Sequence, residues 1–85
     1  MSYFVYILRT SKNTLYIGQT NNLEKRLAEH LNKKRRSAKY LRPFSSFTLV
    51  YKEEFPTRNE ALKREWQLKQ LSKSKKEELV IKSTV

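Results

Sequence analysis

The chain has 85 residues, 38% of them hydrophobic, and nineteen Lys and Arg against eight acidic residues give a formal net charge of +11 at pH 7. This is apolar material for one small core, and with no cysteine neither a disulfide nor a thiolate metal site can hold it. No apolar run is long enough for a signal core or a membrane span, so the expectation is one domain over residues 1–85, cytoplasmic, whose basic surface attracts polyanions, nucleic acid before an anionic membrane.

In chain order, residues 3–8 ("YFVYIL") are aromatic and β-branched and predict a strand. Polar residues 9–14 predict a turn, and residues 15–19 a second strand, making a hairpin. Asn21 with Glu24 forms a capping-box pattern that opens a helix over about residues 22–32, its apolar stripe being Leu23, Leu27 and Leu31. Residues 33–46 ("KKRRSAKYLRPFSS") carry Lys33, Lys34, Arg35, Arg36, Lys39 and Arg42 and read as a basic loop with a short helical turn near 38–41. Residues 47–55 predict a third strand, ended by Pro56. Thr57 with Glu60 opens a helix to about Leu71, and Ser74 with Glu77 a last short one through Ile81. The order β-β-α-β-α-α predicts an α+β fold: a three-stranded antiparallel sheet flanked by helices. If the third strand lies antiparallel to the first, it runs parallel to the second, and the intervening helix is a right-handed crossover.

Four features stand out. Gly18, the only glycine, lies in the second strand, where lost side-chain packing usually signals a close approach to the backbone. Tyr6 and Tyr16 are placed so that neighbouring strands set their hydroxyls side by side, an arrangement that cross-strand packing alone would also produce. On a helical wheel with Ala61 at zero, Glu65 falls near +40°, within an arc that runs from Leu71 near −80° to Trp66 near +140°. A carboxylate facing a core must be paired, protonated or metal-bound. An internal salt bridge to Lys69 or Arg26, a metal ligand and an acid/base group all answer that need. Arg26 and His30, the only histidine, flank the apolar stripe of the first helix, where His30 also suits a packing role and Arg26 an ordinary surface charge.

Together these residues resemble the GIY-YIG nuclease family. The matches are "FVY" at Phe4–Tyr6, "YIG" at Tyr16–Gly18, Arg26 and His30 in "RLAEH", and Glu65 in "KREW". The chain is most similar to the short stand-alone bacterial members, from Tyr3 to about Leu79. The resemblance implies a phosphodiester hydrolase, an endonuclease with no separate DNA-binding domain. Glu65 would hold one divalent ion, Mg²⁺ or Mn²⁺, and Arg26 would bind the non-bridging phosphate oxygens. Tyr6 would accept a proton from the attacking water or orient it, with Tyr16 as partner, His30 as relay and Gly18 leaving room beside the tyrosines. A tyrosine base would need its surroundings to lower its pKa from about 10. Phe4 and Val5 replace the family's first Gly and Ile, and no asparagine follows Glu65, which leaves phosphate positioning to Arg26, Lys39 or Arg42. The substrate implied is nucleic acid, DNA before RNA, bound chiefly through Lys33–Arg42 and read by structure or with weak sequence preference, by a monomer. Two other readings are a binding module of the same fold with little turnover and a basic RNA-contacting scaffold; the latter leaves Glu65 unexplained.

Overall fold

A computed structural model describes residues 2–31 and 47–82 of the protein, with the backbone alone at 30 and 31. The expected order is observed: β1 (Tyr3–Thr10), β2 (Leu15–Thr20), α1 (Leu23–Leu31), β3 (Phe47–Phe55), α2 (Arg58–Lys69) and α3 (Lys73–Lys82). The strands form one antiparallel sheet in the order β2-β1-β3. Both outer strands are antiparallel to β1 and therefore parallel to each other. Among the described residues no helix is long and apolar enough to cross a membrane.

As the central strand, β1 is covered on both faces, so its buried stretch Val5–Leu8 is continuous rather than alternating. Val5 and Ile7 join Ile17, Tyr51, Ala61 and Leu68 on the face covered by α2 and α3. Tyr6 and Leu8 join Tyr16, Leu23, Leu27, Phe47 and Leu49 on the face covered by α1. A bulge in β3 reconciles its sequence with both clusters. Ile7 lies opposite Tyr51 but Leu8 opposite Leu49, so Val50 is an extra residue. One inserted residue switches the side-chain alternation, and Phe47 and Leu49 therefore face α1 while Tyr51 and Phe55 face the other helices.

The hairpin loop is closed by Thr10, whose carbonyl accepts from Asn13 N at 2.9 Å and whose Oγ1 accepts from Thr14 N at 3.2 Å. Asn13 takes the left-handed conformation, φ 63°, that a tight loop demands and that asparagine tolerates. Two expected caps move by one or two residues. Asn22, not Asn21, caps α1, its Oδ1 accepting from Lys25 N at 3.1 Å. Ser72, not Ser74, caps α3, its Oγ accepting from Lys75 N at 3.3 Å. In both cases the residue immediately before the first helical residue supplies the oxygen to a free first-turn N–H, and Ser74 lies inside the helix. Thr57 caps α2 as expected, accepting from Glu60 N at 3.3 Å.

Candidate functional site

The register of the hairpin builds the site. Tyr6 lies opposite Gly18, and Tyr16 lies opposite Leu8. The two tyrosines are thus diagonal neighbours on the α1 face, with ring centroids 6.4 Å apart and planes tilted by 48°. The glycine is explained by the same pairing. A Cβ on Gly18 would stand 2.5 Å from the Tyr6 hydroxyl oxygen and 2.6 Å from its Cζ. Real Cβ atoms do not approach so closely, so the space at Gly18 is taken by Tyr6 itself rather than left open beside the tyrosines.

Helix α1 brings Arg26 over this pair. Its guanidinium donates to the Tyr6 hydroxyl and, at 3.1 Å, to the carboxylate of Glu29 one turn on. Burial works against the charge on Arg26, but the hydrogen bonds to Glu29 and Tyr6 outweigh it, and its pKa is raised. Tyr6 is almost wholly buried, and its pKa is pushed up to about 12, first by burial, then by Tyr16, with Glu65 adding to the effect and Arg26 opposing it. The lowering that a tyrosine base requires is not produced by the protein groups around it. At neutral pH the phenol is protonated.

Glu65 comes from α2, which packs on the opposite face against β1 and the edge strand β2. It is close enough for its charge to act on the Tyr6 hydroxyl. Its place on the helix differs from the expected one. Ala61 and Leu68 are buried, but Leu62 is 38% and Trp66 65% exposed, so the apolar arc is narrower than the sequence suggests. Glu65 stands at the rim of that arc, its side chain 20% exposed, with Lys69 Nζ 3.2 Å from its carboxylate. The salt bridge that the spacing allowed is therefore formed, with Lys69 and not with Arg26.

Tyr6, Tyr16, Gly18 and Arg26 are thus gathered on the α1 face, and Glu65, from the helix on the other face, acts on them through its charge, the least of the influences on Tyr6. His30 follows Arg26 by one turn of α1, but its side chain lies outside the described residues, as do Lys33, Lys34, Arg35, Arg36, Lys39 and Arg42. Two participants escape a sequence reading. Glu29 orients Arg26 and is signalled only by its three-residue spacing from it. A second polar cluster joins Glu53 to the Tyr51 hydroxyl and, at 3.0 Å, to Arg64 Nε between β3 and α2. The switch in alternation at the bulge hides it, because it places Tyr51 and Glu53 on the α2 side.

Known proteins resemble this chain over nearly its whole length. The family profile described as the GIY-YIG catalytic domain matches residues 2–78. A UPF0213 protein of Natronomonas pharaonis is 42% identical over 82 residues, 96% of this chain and 94% of that protein. A UPF0213 protein of Yersinia pestis is 47% identical over 77 residues, 91% of this chain and 79% of that protein. The solution NMR structure of a UPF0213 protein from Bacillus halodurans is similar with a TM-score of 0.61 at 39% identity, covering 94% of this chain and 83% of that one.

Proposed function

Since the chain belongs to the GIY-YIG catalytic domain family, a family of nucleases acting on nucleic acid, we propose that it is a metal-dependent endonuclease that hydrolyses DNA phosphodiester bonds, selecting structure or weak sequence features. The observation that carries this reading is the convergence of a buried phenol, a guanidinium bonded to it and a carboxylate whose charge reaches it.

Glu65 suits a hard divalent ion held by one carboxylate. It is partly exposed at the rim of α2, and the described residues contain no cluster of three or more His, Asp or Glu that would cage an ion. A single protein carboxylate matches Mg²⁺ or Mn²⁺ retaining most of its waters. Lys69 must give up its contact with Glu65 when such an ion binds. The ion would stabilise negative charge on the leaving 3′ oxygen. Arg26 presents its planar fork to the non-bridging phosphate oxygens, oriented by Glu29. Tyr6, protonated at neutral pH, orients the attacking water by hydrogen bonding rather than by taking its proton. Tyr16 supports the phenol, and His30 is the group on α1 suited to carry the proton away. The basic segment 33–42 supplies phosphate contacts.

The hold of Lys69 on Glu65, with no asparagine after Glu65 to position phosphate, favours a second reading, a binding module with the same fold and little turnover. The two separate in a cleavage screen over branched, nicked and single-stranded DNA and RNA, with Mg²⁺, Mn²⁺ or EDTA. Endonuclease function predicts breaks in at least one substrate with metal and none in EDTA. Binding without breaks in any of them selects the second reading.

A further inference from the structure

We propose that a cleft on the outer edge of β2 holds the backbone phosphate of a nucleotide flanking the one that is cut, with Lys76 and Lys69 as its cations; this rests on the nuclease reading above. The cleft has a volume of about 280 Å³ and is lined by Leu15, Tyr16 and Ile17 of β2, Lys69 of α2 and Lys76 of α3.

Three observations support it. First, the cleft is continuous with the candidate site: Tyr16 lines it and neighbours Tyr6, and Lys69 reaches from it to Glu65 at 3.2 Å. Second, one of its two cations lacks an internal answer. Lys76 is half-buried, and among the described residues no carboxylate lies within ion-pair distance of its ammonium. A partly desolvated cation beside apolar Leu15 and Ile17 favours an anion delivered from outside. Third, among the described residues β2 pairs only with β1, so alternate residues turn backbone N–H groups toward the cleft side. Backbone amides and lysines are the usual donors to phosphate oxygens, and they position a strand without reading its sequence. The apolar lining suits the sugar between two phosphates better than a second charge. An unpaired strand edge also suits a second copy of this chain, and the test must separate the two occupants.

The experiment measures binding of the full chain to a labelled DNA substrate in EDTA across a range of salt concentrations, beside light scattering. The variants are Lys76→Gln, Lys76→Arg and, as a control on the far side of α2, Lys63→Gln. Loss of one phosphate contact lowers the log–log salt slope by about 0.7 to 0.9. Lys76→Gln is expected to show that drop with weaker binding, Lys76→Arg to keep the wild-type slope, and Lys63→Gln to leave it unchanged. A wild-type slope in Lys76→Gln, the same drop in Lys63→Gln, or a loss in Lys76→Arg equal to that of Lys76→Gln overturns the proposal. So does a dimer that dissociates on Lys76→Gln while the salt slope stays put. Failure of the wild-type chain to bind any nucleic acid would instead sink the nuclease reading itself.

Discussion

Gly18 and Tyr6 are a single structural unit. The phenol occupies the volume that any side chain at position 18 would claim, 2.5 Å from the would-be Cβ. Both partners are held by the sheet register, so neither can yield cheaply. Overpacking of this kind costs about 1–3 kcal/mol. Gly18→Ala is therefore expected to lower the Tm by several degrees and to move Tyr6 off its hydrogen bond with Arg26. In a Tyr6→Leu background, which lacks the hydroxyl and Cζ, the same change should cost much less. Thermal unfolding of the four proteins completes the cycle, and an equal loss in both backgrounds would break the link. That Tyr6 and Tyr16 come together on one face was legible because side chains alternate along each strand, whereas the register that sets Tyr6 opposite Gly18 was not. Nor was it legible that the glycine serves the tyrosine rather than a substrate, since close approach has no direction in one dimension. Glu65 shows the opposite limit. A helical wheel places it among Leu62 and Trp66, but it cannot say that both are left exposed, Trp66 by 65%.

At the scale of elements, the caps and the bulge show what sequence patterns leave open. Asn21 and Asn22 both suit a cap, and only the backbone chooses between them. Val50 is one apolar residue among several in "FTLVY", and nothing in its chemistry marks it as the one that breaks the alternation. Helix α3 is a further case, since it contains no buried residue, packs partly buried Leu79 on the core and is tied to the hairpin by polar contacts. Arg9 forks onto Glu77 at 2.6 and 3.0 Å and reaches Asn13 Oδ1 at 2.7 Å, while Lys73 Nζ donates to the Asn13 carbonyl at 3.0 Å. The hydrogen bonds from Arg9 hold the Glu77 carboxyl below its usual pKa, so this clip is present at neutral pH and is lost as pH falls through that lowered value. Glu77→Gln is expected to speed amide hydrogen exchange in α3 while leaving β1 protected. Unchanged protection of α3 would show that Leu79 and its neighbours dock the helix unaided. Because Lys76 rides on α3, the same clip sets where that ammonium stands.

For the whole molecule, charge and fold point the same way. A net charge of +11 on 85 residues attracts a polyanion, and the sheet gathers one hydrogen-bonded phenol, one guanidinium and one carboxylate where a phosphodiester could lie. The fold was legible because the order of patterned segments admits few topologies. The site was legible only through its match to a family, since residues from β1, β2, α1 and α2 share no local signal. The central claim is that hydrolysis depends on an ion held by Glu65. Glu65→Gln preserves the shape of the side chain, removes the charge that would hold the ion, and removes a charge that repels phosphate. Its most direct measurement is the single-turnover cleavage rate of wild type and Glu65→Gln in Mg²⁺ or Mn²⁺, with DNA affinity measured in parallel. The account predicts that cleavage by the variant is abolished while binding is kept or slightly strengthened. Cleavage by the pure variant at the wild-type rate would contradict it.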